Sequence, residues 1–160
     1  MIRRQRFALL RRLLMVAVWV GFLGFAAPGS AVAPIIPVNT ANGLALKGYD
    51  PVAYFTTGPT PGVERYSYLF KGATYRFASA ENLERFKADP EKYLPQYGGY
   101  CAYAMSINRI ADINPTDWAV VDNKLYLNNN VFVQALWSLD KRAKIASADR
   151  NWAALPKTTQ

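Results

Sequence analysis

Two stretches of the chain alternate apolar and polar residues on either side of a short turn. Residues 66–70 and 74–78 flank a turn that contains Gly72, and residues 118–121 and 124–127 flank Asp122-Asn123. Aromatic and β-branched residues with a period of two favour strands, and turns rich in Gly, Asn or Asp favour tight connections between them. The pattern therefore predicts two antiparallel β-hairpins.

Helical signals follow the first hairpin. Ser79 is a strong N-cap candidate, and it precedes a predicted helix over residues 80–88 that Asp89-Pro90 should end. Leu83 and Phe86 form its apolar stripe. Residues 90–93 predict one short helical turn with Pro at its first position, and residues 100–107 are compatible with a further helix.

The end of the chain also has helical character. Asn128-Asn129-Asn130 should cap a helix whose apolar stripe is Val131, Phe132, Ala135 and Leu136, together with Trp137. Residues 140–152 should continue as a basic amphipathic helix, and the polar segment 108–116 should be a loop. These elements predict a small single α+β domain in which two antiparallel β-hairpins pack with three to four helices.

The first residues of the chain have the form of a signal peptide. Five arginines among the first twelve residues are followed by an uncharged apolar run over residues 13–27, which is shorter than the roughly 20 residues needed to span a bilayer. Small residues at 29–31 suit a cleavage site. We therefore expect residues 1–31 to be a signal peptide or an uncleaved N-terminal anchor, and the protein to be exported to the periplasm or anchored facing it.

The rest of the chain divides simply. Residues 32–43 are predicted to be a linker, residues 44–155 the folded domain, and residues 156–160 a tail. No internal repeat interrupts the predicted domain, and its length is ordinary for one hydrophobic core.

The net charge of +8 does not indicate a nucleic-acid-binding protein. Without the five arginines at the start, 14 basic residues face 11 acidic ones, which is a net charge of only +3. No basic run is interleaved with aromatic residues, so we expect no nucleic-acid partner. Membrane contact is expected only through the N-terminal segment, if that segment stays uncleaved, and any protein or small-molecule partner stays unidentified.

The chain has one cysteine, Cys101, and no histidine. A single cysteine cannot form an internal disulfide, and the lack of histidine excludes His-dependent nucleophilic catalysis and His-ligated metals. Cys101 is therefore a packed side chain, a reactive thiol, a ligand for a soft metal such as Cu(I), or a partner in an intermolecular disulfide. A reactive thiol would need a lowered pKa, and a metal site would need Met105 and a further ligand.

Tyrosines and glycines surround this cysteine in the sequence. Tyr97, Tyr100 and Tyr103 recur at a spacing of three residues, which is typical of an apolar stripe in the core. The alternative is a binding pocket around the thiol. The residues predicted to line that pocket are Tyr49, Asp50, Tyr54, Tyr97, Gly98, Gly99, Tyr100 and Tyr103.

Several motifs together resemble the YHS domain. The segment 70–79, Phe86, Asp89-Pro90 and Tyr93 reproduce its Gly-centred hairpin, helix entry, Phe and Pro-x-x-Tyr spacing. The resemblance extends to residues 48–55 and 97–104, which resemble exported bacterial YHS proteins, some of which are identified as selenoproteins. If those proteins carry selenocysteine at the position of Cys101, the likeness favours a redox role for Cys101, since selenium is hard to explain as packing.

The resemblance also bears on metals. Metal-binding YHS domains attached to heavy-metal transporters carry cysteines around the helix entry, where this chain has Ala78 and Asn82. Two hypotheses follow. The first is a thiol-centred redox or soft-metal-handling protein that acts through Cys101, and the second is a non-catalytic binding module with a packed Cys101 and a tyrosine-lined surface for a ligand or partner.

Overall fold

The computed structural model describes residues 37–156. The predicted signal peptide or anchor and the last four residues of the predicted tail lie outside these residues. Within residues 37–156, the protein has a mixed α+β fold with two sheets and five α-helices, so the predicted fold class is confirmed. In this part of the chain, no helix combines the length and the apolar character needed to cross a bilayer.

The first predicted hairpin is present and belongs to a sheet of four strands. Its strands are β3 (Val63–Phe70) and β4 (Ala73–Phe77), joined by Lys71 and Gly72, both of which have positive φ. Two short strands, β1 (Thr40–Ala41) and β2 (Leu44–Ala45), extend this sheet in the order β1-β2-β4-β3. Strand β1 lies inside the segment predicted to be a linker, and β2 pairs with β4 in parallel.

The second predicted hairpin forms a sheet of its own. Strand β5 (Asn114–Val121) pairs with β6 (Lys124–Asn128), and Asp122 and Asn123 make the turn with φ values of 49° and 59°. Strand β5 begins at Asn114, so the loop predicted over 108–116 ends earlier than expected. The register shifts before Trp118.

Helix α1 (Ala80–Ala88) begins and ends where the sequence predicts. The Ser79 side chain accepts a hydrogen bond from the backbone N–H of Asn82 at 3.1 Å, which satisfies a free donor of the first turn. Phe86 of α1 is fully buried, and four aromatic side chains of the first hairpin surround it. These are Tyr68, Phe70, Tyr75 and Phe77, with ring centroids 5.1 to 6.3 Å from that of Phe86. This cluster fixes α1 on the sheet.

The remaining helices are shorter or more divided than predicted. Helix α2 (Pro90–Tyr93) is the predicted helical turn, and α3 (Ala102–Ser106) is shorter than the helix expected over 100–107. The predicted C-terminal helix is two helices, α4 (Val131–Ser138) and α5 (Lys141–Ala154). Asp140 separates them, because its carboxylate accepts a hydrogen bond from the backbone N–H of Ala143 and so caps α5.

A buried carboxylate joins the start of the fold to the first hairpin. Asp50 has no exposed surface, and its Oδ1 accepts hydrogen bonds from the backbone N–H groups of Val52, at 2.8 Å, and Ala53, at 3.2 Å. Its Oδ2 accepts from the backbone N–H of Ala78 at 2.8 Å and from the side-chain amide of Asn82 at 2.6 Å. Asp50 thus holds the 3-10 turn over Ala53–Phe55 against the entry of α1.

Removing this carboxylate should destabilise the domain. We expect Asp50→Ala to lower the free energy of unfolding by about 3 kcal/mol or more, because it leaves buried donors without acceptors. Asp50→Asn should cost less, since one amide oxygen still accepts, but its NH₂ group would face other donors. Urea denaturation followed by circular dichroism measures both effects.

The matched control is Asp89→Asn, which changes an exposed aspartate at the end of α1. It should leave the urea midpoint nearly unchanged. Equal midpoints for wild type and Asp50→Ala would contradict the assigned role of Asp50.

Candidate functional site

The single cysteine lies in the interior. Cys101 is 1% exposed and directly precedes α3, and its backbone N–H donates to the carbonyl oxygen of Ala111 at 3.0 Å. Its side chain belongs to the main hydrophobic cluster, which both sheets help to build. This position is typical of a structural cysteine, because free cysteine side chains are often buried in hydrophobic cores.

Burial sets the ionisation of this thiol. Removal from water disfavours the thiolate and raises the pKa of Cys101 above its ordinary value. Nearby backbone N–H groups oppose this shift without cancelling it. The environment of Cys101 therefore raises its pKa, whereas a reactive thiol would need a lowered pKa.

Asn128 organises the surroundings of the sulfur. This side chain is fully buried, and its Oδ1 accepts from the backbone N–H of Tyr103 at 3.0 Å and from the Cys101 thiol at 3.6 Å. Its Nδ2 donates to Gln134 Oε1, and Gln134 Nε2 donates to the carbonyl oxygen of Trp118 at 3.0 Å. The network links α3, β6, α4 and β5, so the thiol is one member of a structural hydrogen-bond network.

The predicted tyrosines do not surround one cavity. Tyr97 is buried in a second hydrophobic cluster with Met105 and Trp137, and its hydroxyl donates to Asp149 Oδ1 at 2.9 Å. Tyr100 and Tyr103 are half-buried and pack against the same cluster. The prediction of an apolar stripe therefore describes these three residues better than the prediction of a pocket around the thiol.

The glycine pair allows the segment before β1 to approach the backbone at Gly98 closely. Gly98 has φ of 61°, and a Cβ atom there would lie 1.9 Å from the carbonyl oxygen of Pro37. The backbone N–H of Asn39 donates to the carbonyl oxygen of Gly98 at 2.8 Å. Only glycine permits this close approach, so Gly98 seats residues 37–39.

A cleft of about 600 Å³ opens elsewhere, between the turn after Asp50, α1, α2 and the second hairpin. Tyr54 and Trp118 form one aromatic pair, with ring centroids 5.5 Å apart, and Phe55 and Tyr93 form another at 5.6 Å. Burial is the main cause that raises the pKa of Tyr54, whose hydroxyl donates to the carbonyl oxygen of Pro115 at 2.8 Å. The cleft is lined by Val52, Tyr54, Phe55, Thr56, Arg85, Lys92, Tyr93, Trp118, Ala119, Val120 and Asn123.

Arg85 and Lys92 supply the positive charge of this cleft. Arg85, on α1, pairs with Glu81 one turn earlier in the same helix, and Lys92, on α2, lies with its Nζ 5.3 Å from the centroid of the Tyr93 ring. No acidic residue is among the described side chains that line the cleft. The site can therefore accept a ligand that is both flat and negatively charged.

Comparison with known families gives a match over the segment that contains Asp50 and Phe86. Residues 50–97 match the family model of the YHS domain. The chain contains a YHS domain. No curated protein and no solved structure matches the chain.

This YHS domain does not present the soft-metal ligands considered above. Ala78 and Asn82, at the positions where metal-binding relatives carry cysteines, both donate hydrogen bonds to Asp50. Cys101 and Met105 belong to different hydrophobic clusters although they are four residues apart. Among residues 37–156, no three Asp, Glu or Cys side chains come together as a metal site. These residues do not fit a soft-metal centre.

Of the predicted site residues, only Tyr54 lines the cleft of the YHS domain. Asp50 lies behind it, with both carboxylate oxygens engaged in hydrogen bonds, and Tyr49 is half-buried against the main cluster. Sequence reasoning missed Arg85, Lys92 and Trp118 as neighbours. No local signal joins them, because Arg85, Lys92 and Trp118 lie on α1, α2 and β5.

The buried thiol should resist alkylation. We expect native Cys101 to react with iodoacetamide at least about a hundredfold more slowly than the denatured chain, because reaction requires local opening. Because the pKa is raised, the thiolate fraction at each pH is smaller than in a free thiol. The native rate should therefore rise with pH but stay below the denatured rate at every pH up to about 8.5, the ordinary pKa of cysteine.

Mass spectrometry of protein quenched at successive times measures this rate, and urea-denatured protein is the control. Rapid labelling of the native protein near neutral pH would restore the hypothesis of a reactive thiol.

Proposed function

We propose that this YHS-domain protein is a non-catalytic binding module whose cleft holds a small aromatic anion. The observation that carries the proposal is the cleft itself, where two aromatic pairs stand beside Arg85 and Lys92. Of the two hypotheses that the sequence left open, this is the binding module with a packed Cys101. Its tyrosine-lined surface would differ from the predicted one, because the cleft contains Tyr54 and Tyr93 but not Tyr49, Tyr97, Tyr100 or Tyr103.

The state of Cys101 supports a role without catalysis by this thiol. Its sulfur is buried, burial raises its pKa, and its thiol donates a hydrogen bond to Asn128 Oδ1. A thiol-centred redox function would need an accessible thiolate, and a soft-metal function would need more sulfur ligands. Neither requirement is met by residues 37–156, so the cleft is the better basis for a function.

The walls of the cleft favour a flat ligand. Trp118 and Tyr54 meet edge to face at an interplanar angle of 66°, and Phe55 and Tyr93 do so at 79°. In each pair the tyrosine is buried, at 2% exposure for Tyr54 and 8% for Tyr93, whereas Trp118 and Phe55 are half-buried. A planar ligand would therefore stack on the exposed parts of Trp118 or Phe55. About 600 Å³ is enough space for a ligand with one or two rings.

The cations favour a carboxylate or a similar group on that ligand. A guanidinium can bind a carboxylate through two parallel hydrogen bonds, and an ammonium adds a point charge. Arg85 already pairs with Glu81, on an exposed part of α1. A ligand carboxylate would therefore share Arg85 with Glu81 or take the place of Glu81. Lys92 would supply a positive charge that no acidic residue of the cleft wall neutralises.

Titration of the full-length protein with indole-3-acetate tests this proposal. We expect chemical-shift changes in two-dimensional NMR at the Trp118 indole N–H and the backbone of residues 52–56. Arg85→Gln and Lys92→Gln should each weaken binding by about tenfold, since each removes a charge-assisted contact.

Two controls make the test selective. Lys124→Gln removes a cation of the second hairpin that is not part of the cleft wall, and it should leave the affinity unchanged. The uncharged analogue indole-3-acetamide should bind at least about tenfold more weakly. Equal binding of the two ligands, or shifts confined to residues outside the cleft, would refute the proposal.

We also propose that the protein is exported, with residues 1–31 as its signal peptide, and that it belongs with the exported bacterial YHS proteins. The basic start, the apolar run over residues 13–27 and the small residues at 29–31 support this. The binding cleft would then meet its ligand outside the cytoplasm.

Expression of the full chain in a Gram-negative bacterium, followed by fractionation and N-terminal mass analysis, tests the export proposal. We expect the main species in the periplasmic fraction to begin at Val32, because cleavage would follow Ala31. Replacing Val18 and Leu23 with Arg should retain the uncleaved chain in the cytoplasm, since charges interrupt the apolar run. An intact chain in the membrane fraction would indicate the anchor instead.

A further inference from the structure

The two cations of the cleft differ in their partners. Arg85 Nη2 lies 2.5 Å from Glu81 Oε1, so this guanidinium already has a carboxylate beside it. Lys92 forms no ion pair within residues 37–156. Its neighbour in α2, Glu91, pairs instead with Lys71 at 2.6 Å. The cleft therefore has one cation that a carboxylate neutralises and one cation without such a partner.

Glu81 contacts Arg85 from outside the cleft. The two residues are four positions apart in α1, which places their side chains on the same face of the helix. Arg85 lines the cleft, whereas Glu81 does not. The Glu81 side chain is 72% exposed, and ion pairs in contact with solvent contribute little to stability. The Glu81 carboxylate can therefore leave Arg85 at a small cost, but it competes with any anion that enters the cleft.

We infer that Glu81 determines the charge of the ligand, so that the cleft selects an aromatic ligand with a single negative charge. This inference rests on the proposed function, because it concerns the same cleft. One ligand carboxylate meets Lys92 and neutralises the cation that has no partner. A second ligand carboxylate has only Arg85 left, where it must displace Glu81 or lie beside a like charge.

Helix α1 contains a second ion pair of the same kind that does not belong to the cleft. Lys87 Nζ lies 2.8 Å from Glu84 Oε1, and neither residue lines the cleft. The Glu84 side chain is 68% exposed, close to the value for Glu81. Substitution of Glu84 therefore removes one negative charge from the same helix without freeing a cation of the cleft.

Two ligands that share one aromatic ring system test the inference in the full-length protein. Naphthalene-2-carboxylate has one negative charge at neutral pH, and naphthalene-2,3-dicarboxylate has two, on adjacent carbon atoms. Isothermal titration calorimetry gives the affinity for each ligand, and the ratio of the two affinities is the quantity compared among variants. We expect the wild-type protein to bind the dicarboxylate no more tightly than the monocarboxylate, because Glu81 opposes the second charge.

Glu81→Gln should change this preference. The substitution frees the Arg85 guanidinium for the second carboxylate, so the affinity ratio should shift toward the dicarboxylate by about threefold or more. Glu84→Gln is the matched control and should leave the ratio unchanged, because solvent and salt screen charges that do not touch the ligand. The double variant Glu81→Gln with Arg85→Gln should return the ratio to the wild-type value, since Lys92 is again the one cation available.

The possible outcomes separate this inference from the proposed function. Equal affinity ratios for wild type and Glu81→Gln, with the monocarboxylate still bound at Trp118, would overturn the inference and leave the proposed function intact. A wild-type preference for the dicarboxylate, or an equal shift in Glu84→Gln, would also overturn the inference. If neither naphthalene ligand nor indole-3-acetate binds the wild-type protein, both the inference and the proposed function are wrong. Far-ultraviolet circular dichroism establishes that α1 is intact in each variant.

Discussion

The hydrogen bonds of the buried Asp50 carboxylate are the interaction on which the rest of the fold depends. Buried carboxylate oxygens are costly unless donors surround them, and Asp50 has four donors from two separate parts of the chain. The donors at Ala78 and Asn82 fix the entry of α1, and those at Val52 and Ala53 fix the turn that carries Tyr54. One wall of the cleft and the helix that carries Arg85 are therefore positioned by the same side chain.

A second buried polar side chain also joins separate parts of the chain through hydrogen bonds. Asn128 joins the loop before α3, the second hairpin and α4 through its amide, and it engages Cys101 in doing so. Because Gln134 is held by this network and Trp137 is held by the core, the rotation of α4 is fixed. The position of the cysteine and the exposure of Phe132 on the outer side of α4 are thus two results of one hydrogen-bond arrangement.

Local elements could be predicted from the sequence, whereas the site could not. Ser79 and Asp89-Pro90 mark both ends of α1, and Asp122-Asn123 marks the second hairpin, because caps and turns depend on neighbouring residues. The role of Asp50 depends on Asn82, 32 positions away, and the cleft joins Tyr54 to Trp118 across the core. Sequence proximity placed Tyr97, Tyr100 and Cys101 in one site, but their side chains enter different clusters.

The burial of Cys101 has a consequence for an oxidising compartment. A lone thiol on a surface forms mixed disulfides with small thiols or with other chains, and each such adduct removes a functional molecule. Here thiol–disulfide exchange must wait for the core around Asn128 to separate, and an adduct formed then would block closure of the core. In such a compartment, the rate at which the lone sulfur forms adducts would therefore be set by how rarely the core comes apart.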